Sequence, residues 1–337
     1  MEQNPYVKQY PALMRGKKIM YVHGFGSSAQ SGTVRRLREA LPGAEVIAYD
    51  LPVEPHEAME LLRNACAKDR PDLIIGTSMG GMYAEQLYGF DRICVNPALR
   101  IADTMTTHGL TGKQQFFNPR QDGVQEFYVD KALVKRYREV QEEGLRPSAA
   151  RLSGGEGGSE REEMVYGLFG DEDDLVDTYD LFREHYPQAI RFHGGHRITD
   201  PVLMHYILPV VRWIDDRQEG RQRPIVYIDW HTLRDSHGQP ASSMHKAYEL
   251  LIEQYQVYVV VPTAEIDAAR PWLEQQLSTP AWQHVVYSDR ADLLYGDYLV
   301  TSSADLPDAM ATLLHFGSDE LKTWEDVIVL FTRLVGQ

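Results

Sequence analysis

Short apolar runs alternate with amphipathic stretches through the first two thirds of the chain. Residues 18–22, 44–49, 72–75, 92–95, 164–169 and 190–192 are compact and apolar and read as buried strands. Between them, residues 33–40, 57–67 and 82–88 carry helical spacing, and the second of these puts Ala58, Leu61, Leu62 and Ala65 on one face. A last helix over 201–216 turns Val202, Tyr206, Val210 and Trp213 inward. Strands alternating with helices predict a mostly parallel sheet wrapped by helices.

Two stretches break this rhythm. From about residue 100 to 160, Phe116, Phe117, Phe127 and Tyr128 precede a charged helix over 131–142, which reads as a surface insertion with its own aromatic cluster or as a lid over a site. Within it, Ser153-Gly154-Gly155-Glu156-Gly157-Gly158-Ser159 lacks the G-K-[ST] ending of a phosphate loop and reads as a linker or loop. The polar run 217–223 then separates a domain over 1–216 from a second over 224–337. There the alternation resumes, with strands at 225–229 and 257–262, a helix over 244–255 and a closing helix over 324–334.

Length agrees with this division, since 337 residues exceed what one hydrophobic core usually serves. Hydrophobic residues at 43% and charged residues at 25% are globular values and exclude disordered and fibrous classes. The net charge of −15 repels polyanions, so neither nucleic acid nor an anionic membrane is an expected partner. Cys66 and Cys94, far apart, suggest neither a disulfide framework nor a thiolate metal site. The first 18 residues lack the apolar core of a signal peptide and no run is long enough to span a membrane, so the expectation is a cytoplasmic protein.

The chemistry concentrates after the strand at 72–75. Gly76-Thr77-Ser78-Met79-Gly80 is G-x-S-x-G, a sharp strand-to-helix turn that exposes a serine hydroxyl on a strained backbone and needs glycines where a Cβ would clash. A serine needs a base to take its proton, a third group to fix that base, and amide donors for the oxyanion. Ser78 is the candidate nucleophile. Asp173 follows the strand ending at Phe169, in competition with Asp171, Asp174 and Asp177, and His196 follows the next strand behind Gly194-Gly195. The order serine, aspartate, histidine is that of α/β-hydrolases. His23-Gly24-Phe25, after the first strand, completes the set: the amides of Phe25 and Met79 are the candidate oxyanion hole, and the His23 ring is expected to brace the turn.

Residues 18–215 therefore resemble the α/β-hydrolase superfamily, and the combination HGFGSS, GTSMGG, VNPA and GGH is similar to small bacterial serine esterases of the YqiA/YcfP type. The resemblance implies an α/β-hydrolase fold with a helical insertion. It also implies hydrolysis of a small-molecule carboxylic ester or thioester through an acyl-serine, with no cofactor and no metal. Residues 224–335 resemble the haloacid-dehalogenase superfamily, most nearly its 5′(3′)-deoxyribonucleotidase type, through IDWHTL, VVVPTAE, LLYGDYLV and HFGS with Trp324 ahead of the last helix. That implies a smaller Rossmann-like α/β domain with an aspartate nucleophile, a general acid, a lysine and an acidic pair holding magnesium. Asp229 matches the nucleophile and Thr263 the phosphate-binding hydroxyl, but His231 stands at the general-acid position, Thr301-Ser302 replace the acidic pair, and Arg290 stands near the expected lysine.

Magnesium needs hard oxygen ligands, so the second domain is expected to be a catalytically degenerate relative kept for packing, oligomerisation or ligand sensing. His231, His237 and His245 match no zinc spacing and read as polar loop residues. Two alternatives stand beside the serine hydrolase: a nucleotide phosphatase using Asp229, and a non-catalytic ligand-binding protein.

Overall fold

The computed structural model describes residues 7–145, 163–277, 284–304, 306 and 308–335; the glycine-rich segment 153–159 lies outside them. The chain divides into two compact units, Met1–Gln218 and Glu219–Gln337.

The first unit is built on a six-stranded, all-parallel sheet of order β2-β1-β3-β4-β7-β8. Its strands are β1 (Lys18–Val22), β2 (Glu45–Ala48), β3 (Leu73–Thr77), β4 (Arg92–Val95), β7 (Val165–Gly170) and β8 (Ala189–Phe192). Helices α1 (Gly32–Ala40), α2 (Pro55–Asp69) and α3 (Met79–Glu85) connect them, and Leu62, Ile74, Met82, Cys94 and Phe182 lie in the shared core. Strands buried on both faces must be apolar throughout, which is why they stand out in the sequence as short continuous runs. The chain runs from β1 outward to β2 and then back past β1 to β3. That reversal opens a crevice above the carboxyl ends of β1 and β3, where an open α/β sheet offers its binding site. The register sets Thr77 beside Val95 and Val95 beside Leu168, so the loops after β3, β4 and β7 leave the sheet at one level.

Three local features depart from the sequence expectation. Helix α3 starts at Met79 rather than Met82, directly behind Ser78, because Ser78 itself occupies the N-cap with φ 57° and ψ −121°. The insertion contains sheet as well as helix: β5 (Gly112–Gln115) and β6 (Glu126–Val129) pair antiparallel between α4 (Ile101–Thr107) and α5 (Lys131–Gln141). Phe127 and Tyr128 lie on β6, with alternating exposure that helical spacing does not describe. Third, the helix over 200–218 contains a π-helical turn, Leu203–Ile207, which rotates the face that follows. Leu203, Ile207, Val211 and Ile214 consequently join Val202 and Val210 in the core, while Tyr206 and Trp213 are only half-buried.

The second unit carries a five-stranded parallel sheet, β11-β10-β9-β12-β13, with β9 (Ile225–Asp229), β10 (Gln256–Val261), β11 (Val285–Tyr287), β12 (Tyr298–Thr301) and β13 (Thr312–His315). Trp230, Met244, Leu251, Trp324 and Phe331 pack its core. Here too the chain order reverses beside the first strand, so Asp229 and Thr301 stand at a switch point.

Candidate active site

The turn after β3 is built by close approach. A Cβ on Gly76 would lie 2.2 Å from the carbonyl oxygen of Gly80, so only glycine lets the helix start this near the strand. Ser78 adopts a positive φ, and its amide is tied to the Val95 carbonyl at 2.9 Å. Backbone strain of this kind persists only where surrounding contacts over-determine it, and here it lifts the hydroxyl off the sheet edge.

The loops after β7 and β8 meet that hydroxyl. Ser78 Oγ lies 3.0 Å from His196 Nε2, and His196 Nδ1 lies 2.8 Å from Asp173 Oδ2. With the ring proton on Nδ1 donating to the carboxylate, Nε2 is left to accept from the serine. The second carboxylate oxygen, Oδ1, accepts from the amides of Leu175 at 2.9 Å and Val176 at 3.0 Å. Asp173 is thus fully hydrogen-bonded and its side chain is 1% exposed, against 20% for the imidazole. Of the competing acids, Asp171 faces the exposed His193 at 3.4 Å and caps the Gly194 amide, outside this chain of contacts.

The turn after β1 lies against the serine: a Cβ on Gly24 would lie 3.2 Å from the Ser78 Cβ. Phe25 follows it, and Met79 opens α3, where the first amides have no intrahelical acceptor. Among the described residues neither amide donates to a backbone acceptor. His23 is buried and braces this turn, with Nδ1 2.8 Å from the Gly24 carbonyl and Nε2 accepting from the Leu51 amide at 3.1 Å. Burial pulls its pKa down to about 4, which keeps the ring neutral.

Sequence reasoning missed the full part played by Asn96. Its Nδ2 donates to the carbonyls of Gly195 at 3.2 Å and His196 at 3.1 Å, and its Oδ1 accepts from the Gly170 amide at 2.8 Å. One side chain at the end of β4 therefore holds both the aspartate-bearing and the histidine-bearing loops. Arg36 on α1 adds a second tie, with Nη1 on Asp200 at 2.9 Å and Nη2 on the Ile198 carbonyl at 2.9 Å. The sequence signals for Asn96 are its place in a turn at the end of a strand and in the VNPA segment that carries part of the family resemblance.

In the second unit, Asp229 Oδ1 meets His231 Nδ1 at 2.9 Å and Oδ2 accepts from Thr301 Oγ1 at 3.0 Å. His231 Nε2 meets Glu265 Oε1 at 2.8 Å. Thr263 pairs through its amide and hydroxyl with Asp289, and Arg290 pairs with Asp292. Magnesium would find Asp229 already engaged at both oxygens and Glu265 held by His231, beside hydroxyls where the ion needs anionic oxygen; these residues do not fit it. Among the described residues no group of three or more histidine, cysteine or acidic side chains is arranged to hold a metal ion. Both cysteines are buried, and burial pushes each thiol up to about 12, so neither supplies a thiolate. No described helix is long and apolar enough to cross a membrane.

Comparison with known proteins bears on parts of the chain. Residues 18–152 match the model of an uncharacterised protein family, UPF0227. A protein of Vibrio phage KVP40, provisionally named a 5′(3′)-deoxyribonucleotidase, is 27% identical over 130 residues, covering 36% of this chain and 71% of its own. Among solved structures, the monoacylglycerol lipase of Paleococcus ferrophilus aligns with 62% of this chain and 96% of its own at 14% identity and a TM-score of 0.40. A soluble variant of the monoglyceride lipase of Saccharomyces cerevisiae aligns with 62% and 90% at 14% identity and a TM-score of 0.40. The thioesterase domain from the curacin biosynthetic pathway aligns with 56% and 87% at 18% identity and a TM-score of 0.34.

Proposed function

We propose that the first unit is an α/β-hydrolase-type serine hydrolase that cleaves a small-molecule carboxylic ester or thioester. The observation that carries this reading is the unbroken chain from Asp173 Oδ2 through His196 Nδ1 and Nε2 to Ser78 Oγ, with contacts of 2.8 and 3.0 Å, on three loops at one sheet edge. Ser78 Oγ attacks the acyl carbon while His196 Nε2 takes its proton, and Asp173 holds the imidazole and stabilises its charged form. The carbonyl oxygen, now anionic, accepts from the Phe25 and Met79 amides. Collapse expels the alkoxide or thiolate, which takes the proton from His196. Water then attacks the acyl-serine with His196 as base, releasing the acid and restoring Ser78. No step requires a cofactor.

The second unit is read as a haloacid-dehalogenase-like domain that does not catalyse phosphoryl transfer. Support comes from the engagement of both Asp229 oxygens and from Thr301 standing where that chemistry needs a carboxylate to hold magnesium. Its role is packing, oligomerisation or ligand sensing. The phosphatase alternative predicts that Asp229 works as a nucleophile.

A fluorophosphonate probe, which reports an activated serine, tests the main reading. The full chain should label, and Ser78→Ala should abolish labelling and ester hydrolysis together. Magnesium-dependent phosphate release from a nucleotide that vanishes in Asp229→Asn would instead support the phosphatase, and silence in both assays would leave a binding protein.

A further inference from the structure

The insertion is bonded to the turn that carries the Phe25 amide, and the proposed catalytic steps make no use of that connection. The turn is closed by the Ser27 amide on the Gly24 carbonyl at 3.2 Å, with Gly26 at φ 68°, the conformation that favours glycine at the third position of such a turn. Because a peptide unit is planar, the direction of the Phe25 N–H is fixed by whatever holds the Gly24 carbonyl at the other end of the same unit. Two donors hold it, the Ser27 amide and His23 Nδ1.

Residues 117–121 of the insertion close around this turn. The Phe117 amide donates to the Gly26 carbonyl at 2.7 Å, Asn118 Nδ2 to Ser27 Oγ at 3.1 Å, and the buried Ser28 hydroxyl to the Pro119 carbonyl at 2.7 Å. One carboxylate in the loop after β2 then joins the two partners. Asp50 Oδ1 accepts from the Ala29 amide at 2.8 Å, and Oδ2 accepts from the Gln121 amide at 2.7 Å. Beside it, the Leu51 carbonyl accepts from Arg120 Nη1 at 3.0 Å, and the Leu51 amide donates to His23 Nε2 at 3.1 Å. A continuous run of bonds therefore leads from Arg120 through Leu51 and His23 to the Gly24 carbonyl. Arg120 is itself fixed, since its guanidinium lies 4.5 Å over the Phe116 ring and its Nε and Nη2 donate to Asp122.

On the hydrolase reading proposed above, we infer that residues 117–121 hold the oxyanion hole in place, with Asp50 and Arg120 as positioning residues for the Phe25 amide. Both act through the backbone of the turn, Asp50 on Ala29 and Arg120 on Leu51 and hence His23. Amide donors stabilise a developing oxyanion fully only when they already point at it, so a turn free to swing would lose part of that stabilisation to its own ordering. A lid has to part from the body of the enzyme to admit substrate. Parting here would break the bonds to Gly26, Ser28 and Asp50 and loosen the donor with them. The segment therefore stays closed on the turn throughout the cycle.

The test compares Asp50→Asn and Arg120→Met with the unmutated full chain, using p-nitrophenyl acetate and a trifluoromethyl ketone, whose adduct with Ser78 places an oxyanion in the hole. Asp50→Asn turns one carboxylate acceptor into a donor facing a backbone amide, and Arg120→Met keeps an apolar side chain beside Phe116 while giving up the bond to Leu51. In each, kcat should fall about ten- to a hundred-fold, KM should change by less than about two-fold, and affinity for the ketone should weaken by the same factor as kcat. Folded variants that label with fluorophosphonate at Ser78 and keep kcat and ketone affinity within about two-fold overturn the positioning role, whatever their melting temperatures, and leave the hydrolase standing. A second measurement needs no variant: with the ketone bound to the unmutated chain, hydrogen exchange should slow in residues 24–30 and 116–122 together. Slowing confined to 24–30 overturns the inference whether or not the variants fold. Failure of Ser78 to label in the unmutated chain overturns the hydrolase reading and the inference with it.

Discussion

The carboxamide of Asn96 donates to the carbonyl oxygen of His196 across 3.1 Å, so the residue that directly follows the strand beside β3 helps set the height of the imidazole over Ser78. The same side chain receives the Gly170 amide, which leads the loop that carries Asp173. The aspartate-bearing and histidine-bearing loops thus share one anchor that neither of them supplies.

Asn96 acts through His196 and Asp173 and is a positioning residue. In Asn96→Asp the acceptor oxygen remains, the left-handed backbone at φ 44° is still tolerated, and both donated bonds are lost. kcat should fall about 10- to 100-fold with KM little changed, since small displacements of a catalytic group cost that much. The rate of fluorophosphonate labelling should fall in proportion. A merely structural role would lower the melting temperature and leave kcat of the folded protein intact.

Asp173→Asn keeps the shape of the side chain but offers an amide to His196 Nδ1, which favours the tautomer with its proton on Nε2. That proton blocks acceptance from Ser78. Ester hydrolysis should drop by about 10⁴, measured as kcat, while far-ultraviolet circular dichroism stays unchanged. Asp171→Asn, altering the neighbouring pair with His193, should change kcat by less than about two-fold.

His23 makes stability depend on acid. Its pKa falls from about 6.5 unfolded to about 4 when buried, so between those values the unfolded chain binds the extra proton. The stabilisation is complete above pH 6.5, is lost as pH falls towards 4, and changes no further below that. The span corresponds to about 3 kcal/mol. His284 in the second unit, buried and also pulled down to about 4, should give that unit the same window. Thermal melts from pH 7.5 to 4 should show both losses, and His23→Gln should flatten only the one belonging to the first unit.

Arg92 is fully buried on β4, with Glu163 on Nη2 and the Glu85 carbonyl on Nη1. Removing its anionic partner strands a buried charge. Because Glu163 is itself 17% exposed, Glu163→Ala should cost about 2–3 kcal/mol, somewhat below the loss for a fully enclosed pair. For a unit of this size that is a fall of roughly 5–10 °C in melting temperature by calorimetry. Pairing it with Arg92→Met should recover part of the loss, since the stranded guanidinium is then removed.

What could be read before any coordinates was what repeats or what chemistry forces locally. The parallel strands are legible because both their faces are buried, and the turn at Ser78 because its glycines admit no Cβ. The insertion was less legible: Phe127 and Tyr128 sit on a two-stranded hairpin only four residues per strand, too short for a period of two to declare itself. The π turn at Leu203–Ile207 escaped for a similar reason, since one extra residue in a helical turn shifts the buried face without changing composition.

By itself the amino-acid sequence determined two α/β units, the strained serine turn and the chain order of serine, acid and base, because these rest on burial periodicity and backbone sterics that act over a few residues. Only the tertiary structure decided which of four neighbouring acids meets His196, that Asn96 joins the two loops, that Thr263 pairs with Asp289, and that residues 117–121 of the insertion interlock with the turn carrying Phe25. Those outcomes depend on distances between residues tens of positions apart, which the sheet order and register impose and no local pattern encodes.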